Sequence, residues 1–428
     1  MSEQSYKRVK TVDTQIFERL ESQVRSYSRN FPVVFDRAKM SVMYTSDGRE
    51  YLDFFNGAGA LSYGHNNDYI KSKIIDYIAG DGISHSLDMF TRAKAEFFET
   101  FEKEVLLPCG INYRIMSCAP TGTNAVEAAL KAARKAKHRT GVFAFTGAFH
   151  GMTLGALSVT SGRGFRRGAG LPLDGVTFVP HPCRFGGDSL SYIEYLLTDE
   201  YSGVEKPAAI ILETIQAEGG VVVAPEAFLR GLRQLCDRHD IALIIDDIQV
   251  GCGRTGKFFS FERAGIVPDM VVLSKSISGY GLPMALLLIK PELDVFSPGE
   301  HNGTFRGNQL AFVGAKAALE YRREHDLEKK TKADCSLISR FLAERILALD
   351  SRIELRGIGM IHGVDFERIG NDVCGRIAGE CFKNGLVIER AGRNDCVLKI
   401  MPALTIEENE LLRGLEIIES AVKNILEV

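Results

Sequence analysis

The sequence predicts an α/β protein in which a mainly parallel, doubly wound sheet forms a large domain and a smaller α+β domain follows at the C-terminus. Three observations predict it. Short apolar runs rich in β-branched residues recur at 142–145, 208–212, 241–245 and 271–273, the pattern of strands buried on both faces. Helical patterns separate them up to Ile289, the alternation of a parallel sheet. Past residue 310 the rhythm changes, and strand-like 356–366, 386–389 and 396–401 are interleaved with helical 372–384 and 407–428. The chain therefore divides into an N-terminal helix and hairpin (1–60) expected to pack with the small domain, a large domain (61–310) and the small domain (311–428).

In order, residues 14–30 carry dense charge around Ile16, Phe17, Leu20 and Val24, an amphipathic helix whose apolar stripe must dock elsewhere. Residues 40–55 read as a hairpin turning at Asp47-Gly48, a dipeptide that supplies the positive φ such turns need. A Gly-rich turn at 56–59 leads to Tyr63-Gly64-His65, and helical patterns follow at 71–79 and 91–106. Gly122 and Thr123 open an alanine-rich helix with apolar positions at Val126, Ala129, Leu130 and Ala133. Such a turn offers free N–H groups, a hydroxyl and the positive end of the helix dipole, which suit a phosphate; a plain N-cap by Thr123 or Asn124 is the competing reading. The strand at 142–145 runs into Gly147-Ala-Phe-His-Gly151, where Phe149 could face a planar ligand or the core. Arg163, Arg166 and Arg167 lie in a Gly-rich loop, available to a carboxylate or to solvent, and a polar, Gly-punctuated loop spans 301–308.

The strand at 241–245 ends in Asp246-Asp247, and the one at 271–273 ends in Ser274-Lys275-Ser276. Ligands of open α/β sheets sit beyond the carboxyl ends of the strands, so an acid and a lysine delivered there face one bound molecule. A lysine that forms a Schiff base and an aspartate that keeps a pyridine nitrogen protonated are what pyridoxal 5'-phosphate (PLP) requires. Singly, each has a plainer reading as a helix N-cap or a solvated turn; together with the phosphate turn they point to PLP.

Composition excludes several classes. The 428 residues are 45% hydrophobic and 25% charged, with a net charge of -3 and no basic run interleaved with aromatics, so nucleic acid is not an expected partner. Nine cysteines without a CxxC pair imply reduced thiols, and nine histidines show no metal-ligand spacing. The first eight residues have no apolar core and no apolar run reaches membrane-spanning length, so a cytoplasmic protein without a membrane partner is expected.

Together these motifs resemble the class III aminotransferases, the ornithine and 4-aminobutyrate type, over nearly the whole chain. Asp246-Asp-Ile-Gln-Val-Gly-Cys-Gly-Arg-Thr-Gly256 is similar to that family's Asp-Glu-Val-Gln-x-Gly-x-Gly-Arg-Thr-Gly element, and Ser274-Lys275 stands at its lysine position. The resemblance implies PLP fold type I and amino-group transfer between an amino acid and a 2-oxo acid. By it, Lys275 joins PLP and shuttles the proton, Asp246 pairs with the pyridine nitrogen, and Gln249 approaches the phenolic oxygen. Phe149 stacks on the ring, while Gly122 and Thr123 hold the phosphate. It also implies a homodimer, with tetramers open, in which Thr304 reaches the neighbouring subunit's phosphate.

Two departures bear on substrate. Many members carry an arginine after the Phe-His-Gly turn for a distal carboxylate, where this chain has Met152; many carry another before the C-terminal Pro-x-Leu, where it has Lys399. Glu218 matches the glutamate that pairs with that second arginine, so Glu218, Lys399, Tyr63 and a loop arginine, Arg166, are the expected substrate contacts. A lysine lacks the bidentate fork of arginine, so carboxylates must be gripped differently. These departures, with 21–32, Tyr63-Gly-His-Asn66, 276–283 and 302–307, resemble the subgroup that exchanges the terminal amino group of L-2,4-diaminobutyrate with 2-oxoglutarate in ectoine, siderophore and related synthesis. Another ω-aminotransferase, an aminomutase on the same scaffold, and a non-catalytic PLP or nucleotide binder are the remaining readings.

Overall fold

A computed structural model describes residues 14–184 and 186–427. Its centre is a seven-stranded sheet with the spatial order Arg114–Cys118, Ala285–Ile289, Met270–Leu273, Ala242–Asp246, Ala209–Leu212, Val142–Phe145 and Val176–Val179. All neighbours pair in parallel except Ala285–Ile289, which is antiparallel to the strand on either side of it. Alternate residues of one strand serve opposite cores: Leu243 and Ile245 join the phenylalanine-rich cluster on one face, Ala242 and Ile244 the alanine-rich cluster on the other. The helix Gly122–Lys137 lays its alanines on that second face. Small side chains let the helix approach closely, which sets its N-terminus beside the carboxyl end of Ala242–Asp246: a Cβ on Gly122 would lie 2.7 Å from Ile248.

The C-terminal sheet runs Glu354–Ile358, Ile361–Asp365, Val397–Ile400, Glu389–Ala391, all antiparallel. The single strand expected at 356–366 is thus a hairpin, because Gly359 takes φ +59 and reverses the chain. A third sheet joins the chain's two ends: Phe35–Lys39, Val42–Thr45 and Glu50–Asp53 form the expected hairpin with one added strand, and Leu386–Val387 pairs in parallel with Glu50–Asp53. Tyr51 stacks on Phe382 there at 4.9 Å. The helix expected at 14–30 is broken into Gln15–Leu20 and Tyr27–Asn30, neither of which buries a residue, and Leu20 and Val24 are 71% and 88% exposed. A lone stripe with nothing to dock on does not sustain four helical turns. The helix Gln309–Glu324 packs on Asp68–Ala79 and Arg92–Phe101, contributing Phe312 to one core and Ala318 to the other. Among the described residues no helix is long and apolar enough to cross a membrane.

Candidate active site

The two strands that end in ionisable residues are neighbours in the sheet. Asp246 closes Ala242–Asp246, is 4% exposed, and its carboxylate accepts from His150 Nδ1 at 2.7 Å and from the Ile248 amide at 3.1 Å. Burial alone would lower the His150 imidazolium, but the Asp246 carboxylate outweighs it and the net direction is up. His150 is a positioning residue that the sequence pattern did not single out, although it adjoins Phe149. Asp247, one residue on, points elsewhere: it accepts from the Ser260 amide at 2.9 Å and from the Ser260 hydroxyl, and burial pushes its carboxyl up to about 7.

Lys275 follows Met270–Leu273 at φ +52, in the left-handed region that a side chain with a Cβ seldom adopts. Its neighbours hold the turn. Ser274 donates to the Met284 carbonyl at 2.7 Å, while Ser276 donates to the Gly59 carbonyl and its oxygen lies 2.6 Å from the Ser62 hydroxyl. Buried Arg254 donates to Ser62 at 2.8 Å and to the Met360 carbonyl at 3.1 Å, tying this turn to the small domain. Burial lowers the Lys275 ammonium, with Glu218 opposing and Lys399 reinforcing the shift. An amine with a depressed pKa can act as nucleophile and base near neutral pH.

Thr121 rather than Thr123 is the N-cap of Gly122–Lys137, and it pairs with Asn124. Thr123 Oγ1 lies 2.6 Å from Thr153 Oγ1, so the first turn of the helix carries hydroxyls and N–H groups toward the carboxyl end of the sheet. Phe149 packs edge-on against Phe165 at 5.2 Å and walls a cavity of about 1040 Å³ together with Glu218, Arg163, Arg184 and Arg393. Glu213, buried and pushed up to about 7 by burial, accepts from the amides of Phe149 at 3.0 Å and Ala217 at 3.3 Å. It joins the loop that carries Phe149 to the loop that carries Glu218.

At the domain junction, fully buried Lys399 lies between two carboxylates, 2.7 Å from Glu218 and 2.8 Å from Glu389. Burial would lower Lys399, but Glu218 and Glu389 raise it; burial would raise Glu218, yet Lys399 and Lys275 hold it well below the carboxylate range. Gln249 donates to Glu218 at 3.1 Å and to the Ala58 carbonyl at 2.9 Å, and its other amide atom is buried without a partner among the described residues. Tyr27 donates to Glu389 at 3.3 Å. Tyr27 lies in the 21–32 stretch that carries the subgroup resemblance, but nothing in the sequence assigns it or Glu389 a role, because only strand register and tertiary docking bring them here.

Three expected contacts stand apart from this group. Tyr63 is 2% exposed and packs on Tyr321 within the small-domain core, so its ring supports the fold instead of facing the cavity. Arg166 gives one guanidinium nitrogen to the carbonyls of Leu157, Ser158 and Thr160, capping the short helix Leu154–Ser158, and lies over Phe178; of the loop arginines, Arg163 lines the cavity. Thr304 is exposed in its loop next to Phe305, itself 69% exposed, and joins none of the groups above. Among the described residues no cluster of three or more His, Cys, Asp or Glu is arranged to hold a metal.

A family model described as aminotransferase class-III matches residues 24–422. A diaminobutyrate--2-oxoglutarate transaminase of Sporosarcina pasteurii is 50% identical over 96% of this chain and 97% of that protein. Another, of Streptomyces coelicolor, is 52% identical over 96% of this chain and 98% of that protein. Among solved structures, the ornithine aminotransferase from Toxoplasma gondii superimposes with a TM-score of 0.85 at 24% identity, covering 96% of this chain and 94% of that one. The fold is thus the α/β architecture of the PLP aminotransferases, fold type I, with a mixed and mainly parallel sheet.

Proposed function

The chain belongs to the class III aminotransferases, and from that membership we infer that it exchanges the terminal amino group of L-2,4-diaminobutyrate with 2-oxoglutarate, using PLP. The observation that carries the substrate is the 48–52% identity, spread over nearly the full chain, to curated enzymes of that name. The residues fit the cofactor. A desolvated lysine, a buried carboxylate held by His150 and a helix N-terminus gathered at the carboxyl ends of neighbouring strands are what a Schiff-base aldehyde, a pyridine nitrogen and a phosphate demand.

When bound, PLP supplies an electrophilic carbon for the substrate amine and a cationic ring that accepts electrons from the reacting carbon. Lys275 takes the proton from the substrate carbon and returns it, which its lowered pKa permits. Asp246 keeps the ring nitrogen charged, and Phe149 walls the ring face. Each half-reaction presents a different end. Glutamate and 2-oxoglutarate place the carboxylate next to the reacting carbon at Lys399, displacing Glu218; diaminobutyrate has none there, so the Lys399–Glu218 pair stays closed. The distal carboxylate of either substrate reaches Arg163 and Arg393, which stand in for the arginine absent at Met152. By the same resemblance, the reaction runs from L-glutamate and L-aspartate 4-semialdehyde toward diaminobutyrate. Nine free thiols suit a reducing cytoplasm.

The test is the visible absorption of the holoenzyme. L-2,4-diaminobutyrate and L-glutamate should each bleach the yellow band, with 2-oxoglutarate restoring it, while ornithine and 4-aminobutyrate act far more slowly. A band that ignores diaminobutyrate would move the substrate to another ω-amine.

The site is completed in a homodimer. Supporting this, Phe90 is wholly exposed with exposed Leu87 and Met89 beside it in the chain, and exposed Phe305 packs edge-on against His85 of the same segment, apolar side chains that a second copy would cover. With Thr304 serving the partner's phosphate, two inactive variants should complement each other. Mixing Lys275→Ala with Thr304→Tyr and reassembling the dimers should restore about a quarter of wild-type activity, because half the dimers are hybrids with one intact site of two. Hybrids with no activity would remove Thr304 from the neighbouring site.

A further inference from the structure

The family's pairing of a glutamate with an arginine becomes, in this chain, a lysine between two glutamates, and the second glutamate has a definite structural place. Glu389 and Lys399 are register partners on adjacent antiparallel strands, so their side chains leave the sheet on the same face. The backbone just before Glu389 is fixed as well, since Leu386–Val387 pairs with Glu50–Asp53 in the other sheet. The Tyr27 hydroxyl, 3.3 Å away, holds Glu389 from the N-terminal segment.

Glu218 is also held, by the Gln249 amide at 3.1 Å and by its place in the turn between the paired strands Ile215–Gln216 and Val222–Val223, but its surroundings differ. Its side chain is 27% exposed against 10% for Glu389, and it lines the large cavity. Of the two carboxylates, Glu218 is therefore the one that a ligand in the cavity meets, and Glu389 is the one left with Lys399 when Glu218 turns away.

We propose that Glu389 is the positioning residue that lets Lys399 act in place of an arginine, holding its ammonium charged and aimed into the cavity after a substrate carboxylate has displaced Glu218. An arginine keeps its charge and its fork without help; a buried lysine on a flexible stem keeps neither once its one partner leaves. The charge count supports the arrangement. A substrate carboxylate at Lys399 has the charge of the Glu218 it replaces, so Glu389 repels it no more than it already repels Glu218. The groups facing the ammonium are Glu218, Glu389 and, beyond Glu218, Lys275.

The inference rests on the reading of Lys399 as the carboxylate contact, and the experiment separates the two. The half-reactions of Glu389→Gln holoenzyme are followed separately through the cofactor's absorption. The KM for 2-oxoglutarate and for glutamate should rise about tenfold, as for the loss of one charge-assisted contact, with the saturating rate changing less than about threefold. The ratio of kcat/KM for 2-oxoglutarate to that for diaminobutyrate should fall by the same factor. Adding Lys399→Arg to Glu389→Gln should return the KM to within about threefold of wild type, since an arginine needs no second carboxylate.

Equal losses in both half-reactions, a lower KM in Glu389→Gln, or no rescue by arginine would overturn the proposal. Lys399→Met is the control for the underlying reading: an unchanged KM for 2-oxoglutarate there would remove Lys399 itself from carboxylate binding. A raised KM in Lys399→Met with none in Glu389→Gln would sink only the role of Glu389. If Glu389→Gln yields no holoenzyme, Glu389→Asp, which keeps the charge but withdraws it, should give the same split in smaller measure, and its absence is equally decisive.

Discussion

Lys275→Ala is expected to slow both half-reactions by about 10⁴-fold or more, because one side chain supplies both the covalent attachment and the moving proton. The geometry concentrates both roles on it. It lies at the end of a central strand next to the strand that ends in Asp246, at φ +52, in a turn pinned on both sides by Ser274 and Ser276. Burial depresses its ammonium, which favours the free amine that both roles require. The variant should retain PLP through the other contacts but absorb as free aldehyde. Borohydride should fix the cofactor to residue 275 of the wild type and to no residue of the variant. Small primary amines added to the buffer should recover part of the lost rate, since they replace the base but not its placement. Turnover within tenfold of wild type would require another base and would undo the assignment of Lys275.

The large sheet was legible because its strands are buried on both faces and therefore read as unbroken apolar runs, as Ala209–Leu212 and Met270–Leu273 do. The edge strand Arg114–Cys118 was not, since Arg114 and Ser117 interrupt it and only Cys118 is buried, so no apolar run survives. Lys275 and Asp246 were legible for a related reason: position at a strand's carboxyl end is written in the chain, and so is the ligand face it implies. What the chain does not write is which of several like residues turns toward the ligand. Arg163 and Arg166 are three residues apart in one loop, yet the carbonyls at the end of Leu154–Ser158 claim Arg166 and leave Arg163 to the cavity. Tyr63 follows a glycine-rich turn, a common setting for a site residue, but its ring goes inward against Tyr321. Glu389 belongs to the same class, because a glutamate in a short strand becomes a partner of Lys399 only through cross-strand register.

Asp246→Asn should cost about 10²–10³-fold in the saturating rate of each half-reaction, with the change in KM much smaller. Asparagine matches the shape of the side chain, so the loss measures charge. In the wild type the carboxylate is 4% exposed, where a charge interacts strongly, and it is aimed by the Ile248 amide and by His150, whose imidazole its proximity keeps more basic than burial would allow. Removing the charge removes the reason for a proton on the ring nitrogen, and the electrons of the reacting carbon then have no cationic ring to enter. His150→Asn tests the same chain one step removed: with Asp246 still charged but free to turn, about a tenfold loss is expected, and adding it to Asp246→Asn should cost almost nothing further. Were the double variant to lose the product of the two single effects, His150 would be acting on the reaction by a route of its own and not through Asp246.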